Sequence, residues 1–159
     1  MIDNKPILLA TDGSPSAERA QEMAFELAHR LDAPLVVVSV AHPAYPVAGY
    51  TAYGFVSALA ELTKVEHERV HDLLDSVAEI AEAQGVRCRT VAADGFVLEE
   101  ICRQASESDA QLLVVGSHGW GATRRLFSGS VSTGLVHTAP CPVLVVRSAP
   151  QAEEHAVAA

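Results

Sequence analysis

The sequence predicts an α/β fold: a single domain built on one open sheet of five parallel strands with helices on both faces. Three observations predict it. Five short apolar runs, at 6–10, 35–40, 87–92, 112–115 and 142–146, are mostly continuous rather than alternating, as expected of strands covered on both sides. Helical patterns lie between them, and strand and helix in steady alternation make a doubly wound parallel sheet. With 159 residues, 49% of them apolar and 19% charged, the chain is long enough to bury a core and too apolar to be a disordered tail.

The first run ends in Ala10-Thr11-Asp12-Gly13-Ser14, and Ser14-Pro15 reads as an N-cap followed by proline at the first helical position. Ala17, Ala20, Ala24, Leu27 and Leu31 then recur at helical spacing. After the second run, residues 42–57 hold two prolines, two glycines, three tyrosines and a phenylalanine, which reads as a long structured loop: a lid, a partner surface or a plain crossover. A long helix over 58–84 follows, with Leu62, Val70, Leu73 and Val77 on its core face and Gly85 as its cap. Leu98, Ile101, Cys102 and Ala105 form the apolar stripe of the next helix. Beyond the last strand, 148–159 has little to bury and reads as a flexible tail, so the domain is taken as 1–147.

The densest chemistry lies around the fourth run. Gly116, Gly119 and Gly129-Ser130 fall in the spacing G-x2-G-x9-G-S/T, with Gly116 closing an apolar run and Ser130 opening a helical one. Glycines admit positive φ and close backbone approach, and N–H groups at a helix start point at an anion, so this loop has the makings of a phosphate cradle. His118 lies inside the loop, and Arg124 and Arg125 could contact terminal phosphates. Of Ser130 and Ser132, at least one is expected merely to cap the helix. In open α/β sheets ligands sit beyond the carboxyl ends of the strands, where the strand order reverses. If the first and fourth strands are neighbours, Asp12 shares a crevice with this loop and accepts hydrogen bonds from a ribose or adenine. The alternative for Asp12 is a turn carboxylate capping the next helix.

Other classes are excluded or weakened by composition. A net charge of -9 argues against sequence-independent nucleic-acid binding. No apolar run is long enough to span a bilayer, and the first residues lack a signal peptide's basic segment, so a cytoplasmic protein is expected. Cys88, Cys102 and Cys141 are scattered and read as small buried hydrophobes. The run His67-Glu68-Arg69-Val70-His71 matches the H-E-x-x-H zinc signature. Its histidines fall about 90–130° from the helix's core face, among charges, so a catalytic zinc is not expected and only weak surface metal binding is left to His67 and His71.

Taken together, ILLATDGSPSAERA, VVGSHGWG with RRLFSGSVS, and HTAPCPVLVVR closely resemble the universal stress protein family in its nucleotide-binding branch, over residues 5–147. The resemblance implies a Rossmann-like sheet of the adenine nucleotide alpha-hydrolase-like type, in the order 3-2-1-4-5. It also implies a homodimer through the last strand, which opens at Pro142 and closes at Val146. Carried over by position, it places Ala10, Thr11, Asp12 and Val40 around adenine and ribose. Gly116, Ser117, His118 and Gly119 then lie near ribose and phosphates, and Gly129, Ser130, Val131 and Ser132 wrap the phosphates. The run Asp94-Gly95-Phe96-Val97 departs from the family's usual glycine and proline there. The function expected is regulatory binding of ATP, with Mg2+ on the triphosphate and at most slow hydrolysis. One rival is a nucleotide-free dimeric scaffold docking partners through 42–57. Another, an adenylate-forming or ATP-pyrophosphatase enzyme, is disfavoured by the lack of a serine-glycine-glycine loop after the first strand.

Overall fold

The computed structural model describes residues 4–41, 53–117 and 130–147. In chain order the elements are β1 (Ile7–Ala10), α1 (Pro15–Leu31), β2 (Leu35–Ala41), α2 (Tyr53–Ala83), β3 (Cys88–Asp94), α3 (Val97–Glu107), β4 (Leu112–Gly116), α4 (Ser130–Thr138) and β5 (Val143–Val146). All five strands are parallel, in the order β3-β2-β1-β4-β5. This is the Rossmann-like arrangement that the sequence implies.

Side chains alternate across the sheet and build two cores. Ile7, Leu9, Leu35, Val37 and Val114 pack on one face against Ala20, Ala24, Phe25 and Ala28 of α1 and Val70, Leu74, Val77 and Ala81 of α2. Leu8, Val36, Val38, Leu113 and Val115 pack on the other against Ile101 and Ala105 of α3 and Leu135 of α4. Burial on both faces explains why β1 and β4 read as unbroken apolar runs and β2 as one interrupted only by the buried Ser39, whereas β3 and β5, at the sheet edges, are covered less completely.

The three long crossovers end alike. At the close of α1, Ala33 N–H donates to the Ala28 carbonyl (2.9 Å) and Asp32 N–H to that of His29 (3.4 Å). Val86 and Gly85 reach back to Ala81 and Glu82 in the same way after α2, as do Ala110 and Asp109 to Ala105 and Ser106 after α3. Each is a Schellman closure that needs one left-handed residue, here Gly85 (φ 69°) but also Asp32 (φ 49°) and Asp109 (φ 51°). The N-cap at Ser14 is present, its Oγ accepting from Ala17 N–H at 3.4 Å.

Three expectations shift. The helix α2 begins at Tyr53, so 53–57 belong to it and not to a loop. No proline lies between Pro46 and the end of α2, and a glycine in the first turn is tolerated. Leu62 was placed on the core face, yet it is 61% exposed, as Val65 is 54% exposed. A 31-residue helix runs about 46 Å and a seven-residue strand about 23 Å, so only part of α2 faces the sheet, from Val70 onward. The three cysteines are half-buried rather than buried, and burial pushes the Cys88 and Cys141 thiols above their ordinary pKa. Among the described residues, no helix is long and apolar enough to cross a membrane.

Candidate functional site

The strand order reverses between β1 and β4: β2 and β3 lie to one side of β1, β4 and β5 to the other. That switch point brings together the residues singled out after the first, second and fourth strands. Ala10 pairs in register with Val38 and Val115, so the Thr11-Asp12-Gly13 turn emerges between the ends of β2 and β4.

The turn is held by its own side chains. Thr11 is buried and its Oγ1 accepts from Gly13 N–H at 3.2 Å, while Asp12 Oδ1 accepts from Ser14 N–H at 3.0 Å. Asp12 therefore does act as a turn carboxylate. A carboxylate offers about four acceptor positions, so a place in the turn does not by itself bar Asp12 from accepting a ligand hydroxyl as well. Gly13 takes φ 74°, and a Cβ there would meet Leu73 Cδ1 of α2 at 3.2 Å. Ala10 and Val40 lie on the sheet face that packs against α3 and α4, and Val131 of α4 packs against the same cluster.

At the end of β4, Gly116 is bare for a reason the sequence did not show. Its φ is not positive. A Cβ on it would lie 2.6 Å from Ser16 Oγ and 2.7 Å from the Ser16 carbonyl carbon, so the glycine lets the end of β4 press on the first turn of α1. Ser117 N–H donates to the Val146 carbonyl (2.9 Å), and the buried Ser132 Oγ donates to the Ser117 carbonyl (3.3 Å). Ser132 thereby fastens the start of α4 to the end of β4, leaving Ser130 as the exposed hydroxyl at the helix start. The remaining candidates His118, Gly119, Arg124, Arg125 and Gly129 lie outside the described residues, as do 42–52 of the aromatic stretch.

His67 and His71 are both exposed on α2. The His67 ring pairs with the Asp94 carboxylate, tying α2 to the end of β3. No group of three His, Cys, Asp or Glu side chains suited to a metal ion occurs among the described residues. The feature that sequence reading passed over is between them: Arg69 Nη1 donates to the Asp12 carbonyl at 3.2 Å. A depression of about 360 Å³ lined by Pro6, Pro34, Arg87 and Arg89 lies at the amino ends of the strands. It is at the wrong end of the sheet for the ligand crevice of such a fold.

The description "Universal stress protein family" belongs to the family model that matches this chain, over residues 3–147. The chain is a universal stress protein. A universal stress protein of Methanocaldococcus jannaschii is 33% identical over 143 residues, covering 90% of this chain and 82% of that one. Among solved structures, the universal stress protein UspA from Lactobacillus plantarum superposes with a TM-score of 0.79 at 25% identity, covering 91% of this chain and 98% of that one. The universal stress protein from Archaeoglobus fulgidus in complex with dAMP does so with a TM-score of 0.58 at 25% identity, covering 89% of this chain and 97% of that one.

Proposed function

We propose that this universal stress protein binds an adenine nucleotide, ATP in our reading, in the crevice between the ends of β1 and β4, and acts as a regulatory homodimer in the stress response. The observation that carries the reading is the convergence of the Asp12 turn, the Gly116-Ser117 strand end and the start of α4 at the switch point of the sheet. The dAMP bound by the Archaeoglobus fulgidus relative supports an adenine nucleoside as the ligand.

In this reading Asp12 and the ends of β1 and β2, with Val40, receive adenine and ribose. The phosphates lie toward Ser117, Gly129, Ser130 and Val131 at the amino end of α4, where helix N–H groups and dipole favour anions. His118, Gly119, Arg124 and Arg125 complete that side. Mg2+ would accompany the triphosphate through phosphate oxygens and water, its usual habit. Chemistry is limited to slow hydrolysis at most, since transfer needs a positioned water, a base and charge neutralisation. The described groups are engaged structurally, Asp12 with Ser14 N–H and Ser132 with the Ser117 carbonyl.

Dimerisation is assigned to β5, whose four apolar residues are each half-buried at the sheet edge. An apolar edge strand invites a partner. In the same reading the domain closes at Arg147, where the family match also ends, residues 148–159 form a tail, and the protein works in the cytoplasm. The rival scaffold reading, docking partners through 42–57, draws on the exposure of Leu62 and Val65 on α2. A thermal melt decides between them. At 100 Kd of nucleotide a true ligand adds about 2.7 kcal/mol, raising Tm, and Trp120 reports binding by fluorescence. No rise in Tm and no change in emission with ATP, ADP or AMP would reject the nucleotide site and favour the scaffold.

A further inference from the structure

The helix turn that carries the zinc-like signature faces the Asp12 turn, and its middle residue makes the contact. The Arg69 guanidinium is bound along one edge by Glu66, with Nε to Oε2 and Nη2 to Oε1 both at 2.8 Å. Nη1 remains for the Asp12 carbonyl, 57 residues earlier in the chain, at 3.2 Å. The planar fork makes this double duty possible. A lysine ammonium, a point charge on a flexible stem, would not hold both partners in fixed directions. Glu66 is the better shielded of the pair, with 29% of its side chain exposed against 42% for Arg69, so the fork has a settled anchor. The Glu66 hydrogen bonds raise the arginine's pKa, and the Asp12 charge adds to the rise, so the carboxylate lies within electrostatic reach of the guanidinium.

One turn further along α2, Leu73 closes over Gly13, whose absent Cβ would meet it at 3.2 Å. One position after Glu66, His67 pairs with Asp94 at the end of β3. The stretch Glu66 to Leu73 thus braces the carboxyl ends of β1 and β3 from outside the crevice.

Resting on the adenine-nucleotide reading above, we propose that Arg69 is a positioning residue: by holding the Asp12 carbonyl it sets the peptide that Gly13 turns, and so aims Asp12 at the nucleoside half of the ligand. It touches no ligand itself. Loss of the fork frees the turn without opening the core, because Arg69 lies on the exposed side of α2 and both alanine and lysine are good helix formers.

The test is calorimetric titration of the full chain and its Arg69→Ala and Arg69→Lys variants with adenosine, AMP and ATP, beside melts without ligand. Arg69→Ala should weaken all three ligands by the same factor, about three- to tenfold, as one charge-assisted hydrogen bond to the turn is lost. Arg69→Lys should recover part of that factor, and the ligand-free melts should stay within a few degrees of one another by the usual cost of surface changes, about 0.5 kcal/mol. A loss that grows with the number of phosphates would make Arg69 a direct phosphate contact and overturn the proposal. Unchanged affinity in Arg69→Ala would overturn it too, with the nucleotide site intact. A wild-type chain that binds none of the three ligands would remove the site reading, and this inference with it.

Discussion

Replacing Gly116 by alanine tests the closest approach found at any of the described glycines. The new Cβ would stand 2.6 Å from Ser16 Oγ, 2.7 Å from the Ser16 carbonyl carbon and 2.8 Å from its oxygen. Carbon atoms in ordinary contact sit at about 3.5–4.0 Å, so either the first turn of α1 or the end of β4 must withdraw by roughly an ångström. Overpacking of this kind costs about 1–3 kcal/mol, and for a domain of this size each kcal/mol lowers Tm by about 2–4 °C. The variant should therefore melt about 2–12 °C lower in a calorimetric scan. Two of the three collisions involve the Ser16 peptide group, so adding Ser16→Gly should restore only part of the loss. Nucleotide affinity should fall with stability, because the displaced turn of α1 follows directly on Asp12. A Gly116→Ala variant melting within about 1 °C of wild type would show that the two elements have slack, and would refute the packing account.

Gly85→Ala should cost about 1–2 kcal/mol in urea titration, a conformational penalty alone, since nothing lies within 4 Å of a Cβ at that position. Ser39→Ala should be neutral or stabilising by up to about 1 kcal/mol, because its hydroxyl is buried without a hydrogen-bond partner among the described residues; a loss above that would reveal a partner. Asp12→Ala should weaken adenine-nucleotide binding by about 1–3 kcal/mol in equilibrium dialysis. Gly129→Val should abolish binding with the dimer intact, and retained micromolar affinity there would count against the phosphate site. If the proposed dimer forms through the edge strand, Val145→Lys there should leave a monomer in light scattering, and a dimer that persists in the variant would place the interface elsewhere.

What the sequence made legible follows from how each element is buried. Strands β1, β2 and β4 could be placed because both faces are covered and their apolar runs are continuous but for the buried Ser39. The third strand was drawn two residues short, since Ala93 is its buried residue while Asp94 beside it is exposed. The start of α2 was hidden by tyrosine, phenylalanine and glycine, which are poor signals of helix taken singly. Leu62 was misplaced because periodicity gives the angle of a residue around a helix but not whether anything stands opposite it. At the candidate site, Gly116 stands out by its spacing and Asp12 by its place after the first strand, yet the reason for Gly116 lay in Ser16, a hundred residues away, where no local pattern points. Arg69 was overlooked for the same reason. It was read as one charge among several on a solvated face, and its partner is a main-chain oxygen that no side-chain pattern reveals.

The shared helix closures have a consequence for the shape of the sheet's upper rim. Each delivers the chain to the next strand after a like number of residues, so Leu35, Cys88 and Leu112 enter on one level, opposite Ile7. Starting together, the strands do not finish together: β1 stops at Ala10, opposite Val38, and β2 climbs on to Ala41. At about 3.3 Å per residue that makes a riser of about 10 Å, with β3 beside it to nearly the same height. Val40 is set on this riser and the Asp12 turn on the tread below. The terrace comes from unequal strand lengths alone, and a flat ring system resting on the tread would have a ready-made wall at its side.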